Sequence, residues 1–245
     1  MAKQRIEVLG VPVDIISPQN IESEIMELLA KPGTKQIVFL NIWELLKARG
    51  KNDFSLCVHN ADLVIPVSKS IIKGARFLKK QTPVIYNPFD AVISILSVLE
   101  NHYRSLYLLG GHKKAVMAAE KNVRKTFRGL QIVGRYVGYY PKSVEYDVIQ
   151  AIYKASPSLV LVSDGIREKN CWSYNRRNQF ASSIFLYYHD AIGIFSERVK
   201  RISDKTFKSG HVFWHELIRN PLKIFYIFPY IRYIMLLFWY RVTKK

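Results

Sequence analysis

A few side chains in the sequence could perform acid-base chemistry. His189 and Asp190 are adjacent and could act as an acid and base pair, although a solvent-exposed turn is the more frequent role of such neighbours. Asp164, which follows Ser163 and precedes Gly165, offers another carboxylate. These residues are the candidate catalytic groups, and Asp164 is the best candidate for a general base that takes a proton from a reacting hydroxyl.

A second group of residues could bind a phosphate. Gly110 and Gly111 follow an apolar run and precede a predicted helix that begins near Lys113. At such a turn, free backbone N–H groups and a nearby cation can hold a phosphate, but double glycines also occur in turns that bind nothing. Asn41 ends another apolar run, where its side chain could bind a substrate or cap the next helix.

Metal binding is not predicted. His211 and His215 are four residues apart and could share a helix face, but no Glu follows His211 and the sequence suggests no third ligand. The only cysteines, Cys57 and Cys171, lie in contexts that suggest neither a metal pair nor a disulfide, which favours a reducing compartment. We therefore expect no metal and no cofactor.

The elements that position these residues follow from short apolar runs rich in Val, Ile, Leu and Tyr. Such runs predict strands at 36–40, 62–66, 105–109, 130–133, 158–163 and 183–188. Helical periodicity lies between them, with start signals at Ser17-Pro18, Asn87-Pro88 and Pro141. This alternation predicts an α/β fold with a largely parallel sheet and helices on both faces, so ligands should bind beyond the carboxyl ends of the strands.

The charge balance implies a polyanionic partner. The chain has 37 Lys and Arg residues against 19 Asp and Glu residues, a formal net charge of +18. Nucleic acid, anionic lipid and phosphorylated substrates would all suit this charge. Nucleic acid is disfavoured, because no RNA- or DNA-binding motif occurs and the basic residues are concentrated among aromatic ones near the carboxyl terminus.

The composition changes near residue 197, which predicts an α/β domain over 1–196 and a basic, aromatic helical appendage over 197–245. Its apolar stretch, 222–240, is interrupted by Lys223, Pro229 and Arg232, unlike the roughly 20 apolar residues of a spanning helix. Binding at a membrane surface fits better, with ordinary core packing or a spanning segment as alternatives. The expected membrane anchors are Arg219, Lys223, Trp239 and Arg241.

The amino-terminal segment lacks the apolar block of about 7–15 residues that a secretory signal needs. The sequence therefore predicts a cytoplasmic protein that is peripheral on the inner face of the cell membrane. Both a monomer and an oligomer remain open.

The order of several short motifs resembles the WecG/TagA/CpsF family of bacterial glycosyltransferases from about residue 6 to the end. The motifs are FLNIWEL at 39–45, NADLVIP at 60–66, PFDAV at 88–92, LYLLGG at 106–111, LVLVSDG at 159–165, VKR at 199–201 and ELIRNPLK at 216–223. The resemblance implies a Rossmann-like core, a nucleotide-sugar donor of the UDP type and a polyprenyl-diphosphate-linked sugar acceptor. It also implies an inverting transfer without a tightly held metal.

The resemblance further implies which residues bind the substrate or nucleotide. They are Asn41, Ser68, Asp90, Gly110, Gly111, Lys113, Lys169, Lys200 and Arg201, alongside matches at Gly165 and Trp172. For Asp90, complementing the positive first turn of a helix is an alternative role.

Several polar positions of the family are changed. The Asp that the resemblance implies as the general base falls on Val67, and an Arg, a Gln and a second Asp fall on Ile85, Lys169 and Gly193. Two hypotheses follow: an active transferase with altered site residues, or a catalytically inactive relative that binds or regulates partners in the same pathway.

Overall fold

A parallel sheet organises the computed structural model, which describes residues 3–203, 205, 207 and 227–243. Its six strands are ordered β4-β3-β8-β7-β5-β6, and β1 and β2 form a separate antiparallel hairpin. The strands are β1 (Gln4–Val8), β2 (Val11–Ile15), β3 (Lys35–Leu40), β4 (Leu63–Pro66), β5 (Ser105–Leu109), β6 (Gln131–Tyr136), β7 (Leu159–Val162) and β8 (Ile184–Tyr187). The six predicted strands and their parallel pairing are confirmed.

Helices cover both faces of this sheet, as predicted. They are α1 (Ile21–Ala30), α2 (Ile42–Ala48), α3 (Asp53–His59), α4 (Lys69–Phe77), α5 (Pro88–Asn101), α6 (Lys113–Thr126), α7 (Glu145–Ala155), α8 (Asn170–Asn175), α9 (Ala191–Phe195) and α10 (Ile227–Thr243), with 3-10 turns at Pro18–Asn20, Lys142–Val144 and Arg177–Gln179. Successive strand side chains point to opposite faces. Ile37 and Phe39 therefore pack with α1, α5, α6 and α9, whereas Val38 and Leu40 pack with α2, α3, α4 and α10.

The β1–β2 hairpin, which the sequence did not predict, is fixed to the β4 edge by one buried carboxylate. Asp14 is 2% exposed. It accepts hydrogen bonds from Arg5 Nε at 2.7 Å, Arg5 Nη2 at 2.8 Å and the Val64 backbone N–H at 2.6 Å. A buried charge is tolerated only when it is paired in this way, so Asp14 determines where the hairpin lies.

The carboxyl-terminal helix α10 packs on α2 and α4. Tyr233 and Leu237 are buried there, and the Tyr233 hydroxyl donates to the Ser70 carbonyl at 2.8 Å. The Phe77 and Phe238 rings are 5.0 Å apart, and the Arg241 guanidinium donates to the Phe77 carbonyl. One face of α10 therefore packs in the protein core. Core packing was the alternative to binding at a membrane surface.

The other face of α10 carries exposed apolar side chains at helical spacing: Phe228, Ile231, Met235, Trp239 and Val242. No helix in the described parts of the chain combines the length and the apolarity needed to cross a membrane. The predicted anchors Arg219 and Lys223, like His211 and His215, lie outside the described residues.

We expect Gly74→Ala to lower the free energy of unfolding by about 1–3 kcal/mol, because the added methyl group would overlap the Tyr233 hydroxyl. This overpacking exceeds the roughly 1 kcal/mol that Ala gains over Gly within a helix. Denaturant titration measures the change. In a Tyr233→Phe background, which lacks that hydroxyl, Gly74→Ala should lose most of its effect; two fully additive substitutions would contradict the contact.

Candidate functional site

The candidate residues from separate parts of the sequence meet at one edge of the sheet. Asn41 follows β3, Ser68 follows β4, Gly110 follows β5, Asp164 follows β7 and His189 follows β8. Because all of these strands are parallel, their carboxyl ends lie side by side. Chains also leave neighbouring strands in opposite directions, since β8 leads to α9 on one face and β3 leads to α2 on the other. Such divergence opens a crevice where ligands bind in α/β sheets.

Backbone contacts between glycines hold three of these loops together. The Gly138 N–H donates to the Gly111 carbonyl at 2.9 Å, and the Gly111 N–H donates to the Asp164 carbonyl at 2.9 Å. A Cβ atom on Gly110 would lie 2.8 Å from the Ser163 Cβ, and one on Gly165 would lie 2.7 Å from the Tyr139 ring. The loops after β5, β6 and β7 therefore approach more closely than residues with side chains permit.

The expected phosphate cradle at the double glycine needs correction. The Gly110 and Gly111 N–H groups donate to the carbonyls of Tyr136 and Asp164, at 3.0 and 2.9 Å, so neither is free for a ligand. Among the described residues, the N–H groups without a protein partner at this turn are those of His112, Lys113 and Lys114, at the N-cap and first turn of α6. A diphosphate would meet the helix there, one step beyond the glycines.

Asp164 lies between the hydroxyl groups of Tyr139 and Ser163. Tyr139 Oη donates to Asp164 Oδ2 at 3.1 Å, and Ser163 Oγ lies 3.3 Å from Oδ1 while its hydrogen is donated to the closer His189 carbonyl. Partial burial and the hydrogen bond to Asp164 raise the pKa of Tyr139, so its hydroxyl remains a donor. The Tyr139 ring is 55% exposed and stacks on the His112 ring, with centroids 4.2 Å apart. An aromatic surface thus lies beside the first turn of α6.

His189 and Asp190 do not form a hydrogen-bonded pair with one another. Their nearest side-chain atoms, His189 Nε2 and Asp190 Oδ1, are 3.9 Å apart, beyond hydrogen-bond distance. His189 Nδ1 instead lies 3.4 Å from the Tyr187 hydroxyl, and the His189 carbonyl accepts from Ser163 Oγ at 2.6 Å. This geometry matches the alternative role of these two residues, a solvent-exposed turn.

Asn41 caps α2, which was one of its two expected roles. Asn41 Oδ1 accepts from the N–H groups of Trp43 and Glu44, each at 2.9 Å, and Glu44 Oε2 accepts from the Asn41 N–H at 2.9 Å. This capping box brings Glu44, which sequence reasoning did not single out, to the same edge of the sheet. Burial raises the pKa of Glu44 to about 7.

Asp90 and Arg201 contact each other. They form an ion pair between the first turn of α5 and the segment after α9, with the Arg201 guanidinium also 5.7 Å from the centre of the Phe89 ring. The α5 end lies beside β4, since the Tyr86 N–H donates to the Pro66 carbonyl at 3.3 Å. Two of the expected binding residues are thus brought together, while Lys200 is exposed nearby.

The remaining positions that the family resemblance pointed to contact mostly the protein core, apart from the exposed Lys169. Trp172 is 2% exposed and donates its indole N–H to Glu145 Oε1 at 2.9 Å. Val67 packs against the core. A Cβ on Gly193 would lie 2.7 Å from Val199 Cγ2, so no larger side chain fits there without rearrangement. Lys169 is exposed, with the rare backbone angles φ 53° and ψ −125°.

The two cysteines are neighbours in space, which their sequence contexts did not indicate. Cys57 on α3 is buried, Cys171 on α8 is partly buried, and both are free thiols. A hydrogen bond with Cys171, together with burial, raises the pKa of Cys57. Within the described residues, no group of three or more His, Cys, Asp and Glu side chains could hold a metal ion.

Comparison with known proteins places these features in a family. The N-acetylglucosaminyldiphosphoundecaprenol N-acetyl-beta-D-mannosaminyltransferase of Bacillus spizizenii is 21% identical over 171 residues, which cover 69% of this chain and 65% of the relative. The matched part thus spans just under two thirds of that relative's length. The model of the glycosyl transferase WecG/TagA/CpsF family matches residues 6–245, almost the entire sequence, and the chain belongs to this family.

Proposed function

We propose that this protein transfers a sugar from a UDP-type nucleotide-sugar donor to a polyprenyl-diphosphate-linked sugar, in the assembly of a cell-surface polysaccharide or glycolipid. The similar enzyme of Bacillus spizizenii is named for transfer of N-acetylmannosamine to such a lipid-linked acceptor. The observation that carries the proposal is the open first turn of α6, which lies at the carboxyl edge of the sheet in a member of this family.

The first turn of α6 offers groups that would bind both the diphosphate and the base of a nucleotide. The unbonded N–H groups of Lys113 and Lys114 and the positive end of the α6 dipole favour a diphosphate, and the Lys113 side chain adds a cation. The exposed Tyr139 ring, supported by His112, is placed to stack on a planar base. Donors at a leaving diphosphate stabilise the charge that develops on it during transfer.

The second candidate function is a non-catalytic partner in the same pathway. It is favoured by Val67 and Gly193, where the family resemblance implies carboxylates. Val67 is partly buried against apolar residues, and Gly193 has no room for a side chain. The removal of one electrostatic donor alone typically costs about 10²-fold to 10³-fold in rate, so the loss of several would favour binding without turnover.

Peripheral attachment to the inner face of the membrane is part of the proposal. The exposed stripe of α10 from Phe228 to Val242 contains Met235 and Trp239, and Arg232 and Arg241 lie on the same helix. Aromatic and apolar side chains favour the headgroup level of a bilayer, and arginine favours anionic lipid. An acceptor that resides in the membrane would be reached from such a position.

Transfer is tested with N-acetylglucosaminyl-diphospho-undecaprenol in anionic vesicles and a panel of UDP-sugars that includes UDP-N-acetylmannosamine. A new disaccharide-lipid supports the transferase. If UDP and vesicles both bind but no UDP-sugar is consumed, the non-catalytic candidate is correct.

We expect Lys113→Glu to weaken UDP binding about tenfold, because the substitution reverses a charge at the first turn of α6. Lys121→Glu makes the same charge change two turns further along the same helix, at an exposed position, and should leave the affinity nearly unchanged. Calorimetric titration with UDP measures both. Equal weakening by the two variants would indicate a general charge effect and remove the α6 turn from the site.

We expect Met235→Glu to reduce binding to anionic vesicles about tenfold, since it places a carboxylate in the apolar stripe of α10. The matched control is Met117→Glu, because Met117 is an exposed methionine on α6, outside the stripe. Vesicle flotation at low and high salt measures the bound fraction, which should also fall with salt. Unchanged flotation of Met235→Glu would place the membrane contact elsewhere.

A further inference from the structure

Glu44 is a carboxylate at the end of β3, close along the edge of the sheet to position 67, where the family resemblance implies the general base. Glu44 lies in the first turn of α2, directly after β3. The strand ends of β3 and β4 are adjacent there, since the Val67 N–H donates to the Leu40 carbonyl at 3.0 Å. The backbone of residue 67, where the family resemblance implies the general base, is therefore next to the turn that carries Glu44, while the Val67 side chain packs on the α1 and α5 face of the sheet and α2 lies on the other.

The Glu44 carboxylate is held at one oxygen only. Its Oε2 accepts from the Asn41 N–H at 2.9 Å, which fixes the side chain against the end of β3. In the described parts of the chain, Oε1 accepts no hydrogen bond. A carboxylate fixed in this way has one oxygen for orientation and another that can accept a proton from a bound hydroxyl.

The surroundings of Glu44 suit a base that works near neutral pH. The charged and titratable groups that face it are Lys47 on α2 itself, Lys169 ahead of α8 and Tyr187 at the end of β8. Burial disfavours the ionised form and raises the pKa of Glu44 to about 7, although the two lysines and the Asn41 N–H act in the opposite direction. A base is most effective when its pKa lies near the working pH.

Asp164, the carboxylate favoured from the sequence, is in a different situation. Its Oδ2 accepts the Tyr139 hydroxyl, whereas Ser163 Oγ, 3.3 Å from Oδ1, gives its one hydrogen to the closer His189 carbonyl. These contacts join Asp164 to the loop after β6, on the side of the sheet where α6 begins. Asp164 therefore lies closer to the proposed nucleotide position at α6 than to the end of β3, where we place the acceptor hydroxyl.

We propose that Glu44 is the general base of the transfer reaction and takes over the role of the carboxylate that is absent at Val67. This inference rests on the proposed transferase function. Glu44 Oε1 accepts the proton of the acceptor hydroxyl while that oxygen forms a bond to the anomeric carbon of the donor sugar. The bond between the anomeric carbon and the diphosphate oxygen breaks, and its electron pair leaves with the nucleoside diphosphate. Glu44 then returns the proton to solvent.

Glu44→Gln separates catalysis from capping, because a Gln at this position still accepts the Asn41 N–H in a capping box but cannot take a proton. We expect kcat to fall about 10²-fold to 10⁴-fold with KM for the donor little changed. Wild-type kcat/KM should rise with pH through about 7, the pKa of Glu44, and the residual activity of the variant should lack this rise. Glu22→Gln, in the exposed first turn of α1, is the matched control and should behave as wild type.

A measurement of stability tests Glu44 without any turnover. Because the folded-state pKa of Glu44 is raised above its ordinary value of 4.5, its favourable contribution is present below pH 4.5 and is lost as the pH rises through about 7. Glu44→Gln should therefore gain stability relative to wild type across this pH range in denaturant titrations. A difference that stays constant with pH would contradict the raised pKa of the partly buried Glu44 carboxyl.

The kinetic outcomes distinguish the inference from the function beneath it. No wild-type transfer, with UDP and lipid both bound, would overturn the proposed function and the base with it. Wild-type transfer that survives Glu44→Gln would overturn only the assignment of Glu44. Loss of transfer in Asp164→Asn with full activity in Glu44→Gln would identify Asp164 as the base instead.

Discussion

The contact between glycine backbones at the ends of β5, β6 and β7 is the constraint on which the candidate site depends. Gly110, Gly138 and Gly165 lie so close together that a Cβ on any of them would press on a neighbouring loop. The same contact uses the N–H groups of Gly110 and Gly111 for bonds between loops. It therefore fixes both the start of α6 and the position of Asp164. The N–H groups that lack a protein partner then lie at the start of α6 and not at the two glycines. A looser packing of these loops would leave the first turn of α6 and the Asp164 carboxylate unrelated in space.

Carboxylates at this edge differ in what holds them, and this difference indicates their roles. Asp90 is paired with Arg201, Asp164 accepts the Tyr139 hydroxyl, and Glu44 accepts a backbone N–H in a partly buried environment. An ion pair fixes charge, and hydroxyl donors orient a carboxylate. A partly buried carboxyl with one backbone bond, such as that of Glu44, can gain and lose a proton near neutral pH. The group that contacts each carboxylate, and not the residue type alone, therefore decides how readily that carboxylate gains or loses a proton.

The sheet was predictable because buried parallel strands are short apolar runs, and helix starts such as Asn87-Pro88 carry local signals. The β1–β2 hairpin was missed because its attachment depends on Asp14, whose partner Val64 lies on another strand. The occupied N–H groups of Gly110 and Gly111, and the meeting of Cys57 with Cys171, likewise depend on partners far along the chain. Glu44 could have been found from its spacing to Asn41, which matches a capping box, but its burial depends on the tertiary structure.

Helix α2 links two regions of the molecule through a single short element. Its first turn carries Asn41 and Glu44 at the edge of the sheet, and its body packs against α10, where the Arg49 guanidinium lies 5.6 Å from the centre of the Tyr240 ring. A helix of seven residues is under two turns long, so the turn that carries the Asn41 cap adjoins the turn that leads to the α10 contact. A protein engineer therefore cannot graft a different carboxyl-terminal helix onto this scaffold as an independent module. The replacement must reproduce the surface that α2 meets, or the cap geometry at Asn41 will shift with it.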